Sequence, residues 1–137
     1  MMKFGHHLMK SFKHMAGEKY NLNKTQMRTL VMLRRRGSHT MSDIVAHMNI
    51  EKGSMTSVVD NLTKEGLVRR ERDENDRRKV LISLLPPGHT IACQLEKEME
   101  AHIQEQLDLL GEEKVKSLLE LVDVVKESLH IWENKFE

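Results

Sequence analysis

Between Lys52 and Lys64 the sequence KGSMTSVVDNLTK interleaves two kinds of side chain. Met55, Val58, Val59 and Leu62 recur at the spacing of one helix face. Ser54, Ser57 and Asn61 fall three and four residues apart on another, with Thr56 at its margin and Lys52 and Lys64 at its ends. Short hydroxyls and an amide, beside a Gly53 that permits close approach, can hydrogen-bond base edges or phosphate oxygens. The same residues can equally serve as a helix start and a solvated face. A second cluster, DENDRRK, sets Asp73 and Asp76 before three consecutive cations, Arg77, Arg78 and Lys79. A guanidinium at a turn tip can enter a narrow A·T-rich minor groove, where negative potential is concentrated. Asp73 and Asp76 oppose a polyanion, so they are expected to orient the arginines by bidentate pairing, or to stabilise the turn itself.

The elements around these clusters follow from periodicity and caps. Phe4, Leu8, Phe12 and Met15 predict an amphipathic first helix. In NLNKTQMRTLVMLRRRG, Asn23 is a natural N-cap, Met27, Leu30 and Val31 form one face, Arg34 to Arg36 fill the last turn and Gly37 closes it. Thr40 caps a short helix with Ile44, Val45 and Met48 inward, and a break around Asn49 to Lys52 leads to the 51–65 helix, closed by Gly66. Leu67 to Arg72 and Lys79 to Leu85 read as two strands joined by the charged turn. After Pro86-Pro87-Gly88 come two long helical patterns, Ile91, Leu95, Met99, Ile103, Leu107 and Leu110, then Val115, Leu118, Leu119, Val122, Val125, Leu129, Trp132 and Phe136, separated by Gly111. The expected fold is mainly α with a small β-hairpin wing, a winged helix-turn-helix flanked by N- and C-terminal helices that form a dimerisation region. The segments are 1–20 for the first dimerisation helix, 21–88 for the winged lobe and 89–137 for the C-terminal dimerisation helices, in one integrated domain. The terminal helices carry more apolar surface than a lone helical hairpin covers, which predicts a homodimer.

Charge supports the same division. Residues 1–80 hold 17 Lys and Arg against 9 Asp and Glu, net +8, while residues 81–137 hold 5 against 12, net −7. One end suits a polyanion and the other avoids it. Hydrophobic content of 39% with 31% charged residues fits a folded domain rather than a disordered chain. No apolar run approaches the ~20 residues of a membrane span, and MMKFGHHLMKSFKHM lacks the apolar centre of a signal peptide, so a cytoplasmic location without membrane contact is expected. The single cysteine, Cys93, fits a reducing compartment.

With SMTSVVDNLTKEG before it and LNKTQMRTLVML further upstream, GLVRRERDENDRRKVLISLLPPGH closely resembles the multiple-antibiotic-resistance regulator (MarR) family of transcription factors. The resemblance covers nearly the whole chain, and its most specific part is the wing segment. It implies a homodimeric winged helix that binds a pseudo-palindromic double-stranded DNA operator and represses. By position it assigns Asp76 as the wing aspartate, Arg78 as the minor-groove arginine and Arg77 as a phosphate contact. Ser57 stands where the family often has Arg, and Asn61 where a basic residue is common, which weakens contacts to guanine. Leu85 stands where a Thr usually caps the next helix.

The resemblance also implies a small anionic or phenolic effector, although no motif names one and no cofactor is expected. Cys93 shares a helical face with Glu96, Lys97 and Glu100, and the two carboxylates among them disfavour a thiolate and favour an inert thiol. His6, His7 and His102, with Glu98 and Gln106, raise a zinc-responsive alternative of the same fold, but no histidine pair has dedicated ligand spacing, so no metal site is expected. A winged-helix protein-interaction module without specific DNA binding is the other alternative. No P-loop, nucleophile elbow or metalloprotease helix occurs, so no catalytic residue and no enzyme activity are expected.

Overall fold

Asn23 opens the first long helix by exchanging two bonds with Gln26: its side chain accepts the Gln26 backbone N–H at 2.9 Å, and Gln26 Oε1 accepts the Asn23 N–H at 2.7 Å. This reciprocal cap satisfies two donors that a helix start otherwise leaves open. The computed structural model describes residues 16 and 18–136, with side chains up to residue 128. The expected face of Phe4, Leu8, Phe12 and Met15 lies outside the described residues, as do the side chains of Leu129, Trp132 and Phe136. Residues 18–20 are helical. Then come α1 (Lys24–Arg36), β1 (His39–Thr40), α2 (Met41–Met48), α3 (Lys52–Lys64), β2 (Val68–Arg72), β3 (Val80–Leu84), α4 (Pro86–Asp108) and α5 (Glu112–Phe136).

The inward face of α1 is wider than its spacing suggested. Met27, Leu30, Met32 and Leu33 are buried with Gln26 and Thr29, whereas Val31 is half-buried. Thr29 is tolerated inside because its hydroxyl donates to the Thr25 carbonyl at 2.8 Å. Helix α2 carries a second reciprocal cap, between Thr40 and Asp43, and ends at Asn49 in the left-handed region, φ 51°.

The expected hairpin forms from β2 and β3 and gains a third strand. β3 is the centre of a three-stranded antiparallel sheet in the order β1-β3-β2, with Val68 opposite Leu84 and Arg72 opposite Val80 on one side, and His39 opposite Ile82 on the other. The short His39–Thr40 strand is set by its partner, since two residues carry no alternation of their own. The expected Leu67 and Lys79 starts and the Leu85 end each fall one residue outside the paired strands.

The core gathers Leu30, Ile44, Met55, Val59, Leu62, Val68, Ile82 and Leu95, all at most 2% exposed. Burying each such side chain is worth roughly 1.5–3 kcal/mol relative to leaving it in water. Helix α4 starts at Pro86 rather than after Gly88, because a proline at the first helical position gives up an N–H that would be unpaired anyway. Gly88 is buried directly against the connection between α3 and β2, where an added Cβ would stand 2.0 Å from the Leu67 carbonyl oxygen. The residues up to Met99 form one compact unit and those from Glu100 another. Gly111, φ 78°, separates α4 from α5.

Candidate nucleic-acid interface

Helix α3 is fixed by one face and open on the other. Met55, Val58, Val59 and Leu62 are buried, as their spacing required. Lys52, Gly53, Ser54, Thr56, Ser57, Asn61 and Lys64 are all exposed. Two hydroxyls turn back onto the helix, Thr56 Oγ1 donating to the Lys52 carbonyl at 2.9 Å and Ser57 Oγ to the Gly53 carbonyl at 3.4 Å. Ser54 and the Asn61 amide make no side-chain hydrogen bond among the described residues. Glu51, at the N-cap, forms no side-chain cap, and the first turn holds no acid. The first N–H groups of α3 are therefore not capped by a side chain. Around Gly53 an added Cβ would meet nothing within 4 Å, so no protein contact requires a glycine there.

The wing tip is built by carboxylates acting on the backbone. Asp73 Oδ1 accepts the N–H groups of Asn75 at 2.7 Å and Asp76 at 3.2 Å, and Asp76 Oδ1 accepts the Arg78 N–H at 3.1 Å. Asp73 N–H to Lys79 carbonyl and Lys79 N–H to Asp76 carbonyl close the turn. The expected bidentate pairing of Asp73 and Asp76 with Arg77 and Arg78 is not formed. A carboxylate that satisfies nearby turn N–H groups is committed to the loop. The two aspartates order the chain that carries the arginines, while Arg77, Arg78 and Lys79 remain exposed and free of ion pairs among the described residues.

Several charged contacts escaped the sequence reading. Arg70, on β2, pairs with Asp60 of α3 at 2.5 Å. On the other face of the same strand Arg69 pairs with Glu71 at 2.8 Å, and buried Ser83 donates to Glu71 at 2.7 Å. Arg34 and Arg35 both pair with Glu96, whose side chain is only 10% exposed, and Arg34 Nη2 lies 3.9 Å from Cys93 Sγ. The thiol thus lies beside a guanidinium from another helix. Tyr20 donates to Glu98 at 2.7 Å, and Lys19 pairs with the same carboxylate. Burial pushes the Glu98 carboxyl up, but hydrogen bonds from Lys19 and Tyr20 pull it further down, leaving it below its ordinary value. Only charge type announced these residues, and charge type does not say which acid meets which base. Among the described residues no group of three or more His, Cys, Asp or Glu could hold a metal ion, and no helix is long and apolar enough to cross a membrane.

Helices α1 to α3 followed by the β2–β3 hairpin, with an open polar helix face and a cationic tip, define a winged helix-turn-helix protein. Residues 22–80 match the MarR family. Over those residues the chain is a winged helix-turn-helix of the MarR type, and the MarR family consists of DNA-binding transcriptional regulators, which are not enzymes. The chain is 28% identical over 111 residues to the uncharacterized HTH-type transcriptional regulator YfiV of Bacillus subtilis (strain 168), covering 81% of this chain and 69% of that protein. The crystal structure of transcriptional regulator PA4135 matches with a TM-score of 0.74 at 28% identity, over 92% of each chain. That of NadR in complex with 4-hydroxyphenylacetate matches with a TM-score of 0.71 at 25% identity, over 90% of this chain and 87% of that one.

Proposed function

We propose that the chain is a homodimeric, ligand-responsive repressor that binds a pseudo-palindromic operator. Helix α3 lies in the major groove with Ser54, Ser57 and Asn61 toward base edges, and Lys52, Thr56 and Lys64 on phosphates. Gly53 allows the close approach. Arg78 enters the flanking minor groove, Arg77 and Lys79 contact phosphate, and Asp73 and Asp76 hold the loop that presents them. The observation that carries this reading is the pairing of an unshielded polar helix face with an exposed, unpaired cation triplet within the unit up to Met99.

Dimerisation is supported by α5, which exposes Leu118, Leu119, Leu121, Val122, Val124 and Val125. An apolar stripe of that length calls for a partner surface. In this reading the first helix, residues 1–20, and the helices within 89–137 build the dimer interface, and residues 21–88 read DNA. The effector is a small anionic or phenolic compound, a class supported by the likeness to NadR bound to 4-hydroxyphenylacetate. The cytoplasm, where the DNA lies, is the working compartment.

Selection of bound duplexes from a random pool, followed by titration of the winner against salt, tests the proposal. The expected result is an inverted repeat with half-sites ~10 bp apart and affinity that falls steeply with salt. Absence of enrichment together with weak, sequence-independent binding overturns it.

A further inference from the structure

Helix α3 is short of the groups that read guanine. It contains no arginine, and its two lysines stand at its ends, Lys52 and Lys64. Bidentate recognition of guanine O6 and N7 uses Arg or Lys, recognition of the cytosine amino group uses a carboxylate, and recognition of adenine N6 and N7 uses a side-chain amide.

The middle of the helix offers one candidate of each remaining kind, and the structure treats them differently. Asp60, the carboxylate, is held by Arg70 at 2.5 Å. Its charge is screened and one of its two oxygens occupied, so it accepts from cytosine less readily and repels phosphate less strongly than a bare carboxylate. The Thr56 and Ser57 hydroxyls spend their protons on helix carbonyls and retain only acceptor capacity toward a partner. Asn61 is exposed, with both halves of its amide free among the described residues. It is also the one side-chain amide in α3.

We infer that Asn61 reads adenine, its amide accepting from N6–H and donating to N7, so that each half-site carries an A·T pair where this residue meets the major groove. The inference rests on the DNA-binding geometry proposed above and adds the base identity to it. Arg70 is the accompanying positioning residue, because by holding Asp60 it leaves the amide as the free bidentate group of the helix. Ser54 and Asn61 lie seven residues apart, ~10 Å along the axis. At a rise of ~3.4 Å per base pair, the reading frame of the helix spans about three pairs, with the Asn61 adenine at one end.

The test uses the full chain and three parallel selections from one random duplex pool: the unaltered protein, Asn61→Ala and Asn61→Arg. The unaltered protein is expected to enrich adenine at one position of each half-site. In Asn61→Ala that preference should relax about fivefold to a hundredfold at this position alone. In Asn61→Arg it should switch to guanine, a gain that a misfolded protein cannot produce. An enriched repeat whose base preferences are the same in all three proteins, or a loss in Asn61→Ala spread evenly over every position, overturns the assignment of Asn61 while leaving DNA binding intact. Enrichment by none of the three overturns the DNA-binding reading, and the assignment falls with it.

Discussion

Arg70 Nη2 sits 2.5 Å from Asp60 Oδ1, so the first strand of the wing is tied to the exposed middle of α3. Arg70 shares its strand face with Val68, which packs into the core, and so it extends the contact between hairpin and helix outward from the apolar side. The pair joins the two elements that are proposed to enter adjacent grooves.

Both partners are more than two-fifths exposed, so the pair itself is worth at most about 1 kcal/mol of stability. Its effect on DNA should be larger and unequal. Arg70→Ala uncovers a carboxylate facing phosphate and should weaken binding, whereas Asp60→Ala removes that charge and should weaken it less. Fluorescence anisotropy on one duplex, with urea melts alongside, checks both; equal losses in the two variants would argue against a screening role.

Arg77 and Arg78 should separate by the kind of loss they cause. Arg78→Ala is expected to cost about 1–3 kcal/mol of operator affinity and to relax preference for A·T pairs flanking the half-sites. Arg77→Ala should weaken all sequences alike and lower the salt slope by about one. Matched salt titrations on operator and scrambled duplexes distinguish the two.

Two glycines should respond oppositely to alanine. Gly88→Ala drives a methyl against the Leu67 carbonyl, and with backbone on both sides about 1–3 kcal/mol of destabilisation, or more, is expected in thermal melts. Gly53→Ala meets open space and should stabilise α3 by about 0.4–1 kcal/mol while reducing DNA affinity, because the added methyl lies on the approach face. A Gly53→Ala protein that binds DNA as tightly as the original would show that the helix does not lie so close.

Stability should fall in acid through particular carboxylates. Asp43 is held below its ordinary value by the Thr40 hydroxyl, which donates to it at 2.6 Å, and by the Thr40 backbone N–H. A carboxyl depressed on folding adds stability that is present above its unfolded value, ~3.9, and is lost as pH falls through the lower folded value. Glu98 acts in the same sense. Urea midpoints should therefore decline below about pH 4, and Asp43→Asn should decline less steeply over that window.

What the sequence determined by itself is what lies within a few residues along the chain. Asn23 and Thr40 cap helices because they precede helical spacing, Met55, Val58, Val59 and Leu62 turn inward because of their period, and Asp73 and Asp76 mark a turn. The exposed polar face of α3 and the cationic wing tip follow from those local rules, so the candidate interface was legible as a list of residues. Tertiary structure decided how the pieces meet. His39–Thr40 became a strand only by pairing with Leu81 and Ile82, Asp73 and Asp76 took backbone N–H groups in place of guanidiniums, and Gly88 proved to be pressed on Leu67. Arg70 found Asp60, and Arg34 and Arg35 found Glu96 more than sixty residues away. The physical reason is the range of the forces that choose. Hydrogen bonds to the chain's own neighbours and hydrophobic periodicity act within one or two turns and leave a pattern in the order of residues. Ion-pair partners and close backbone approaches depend on where the packed core sets distant segments, and a row of similar charges leaves that choice to the fold.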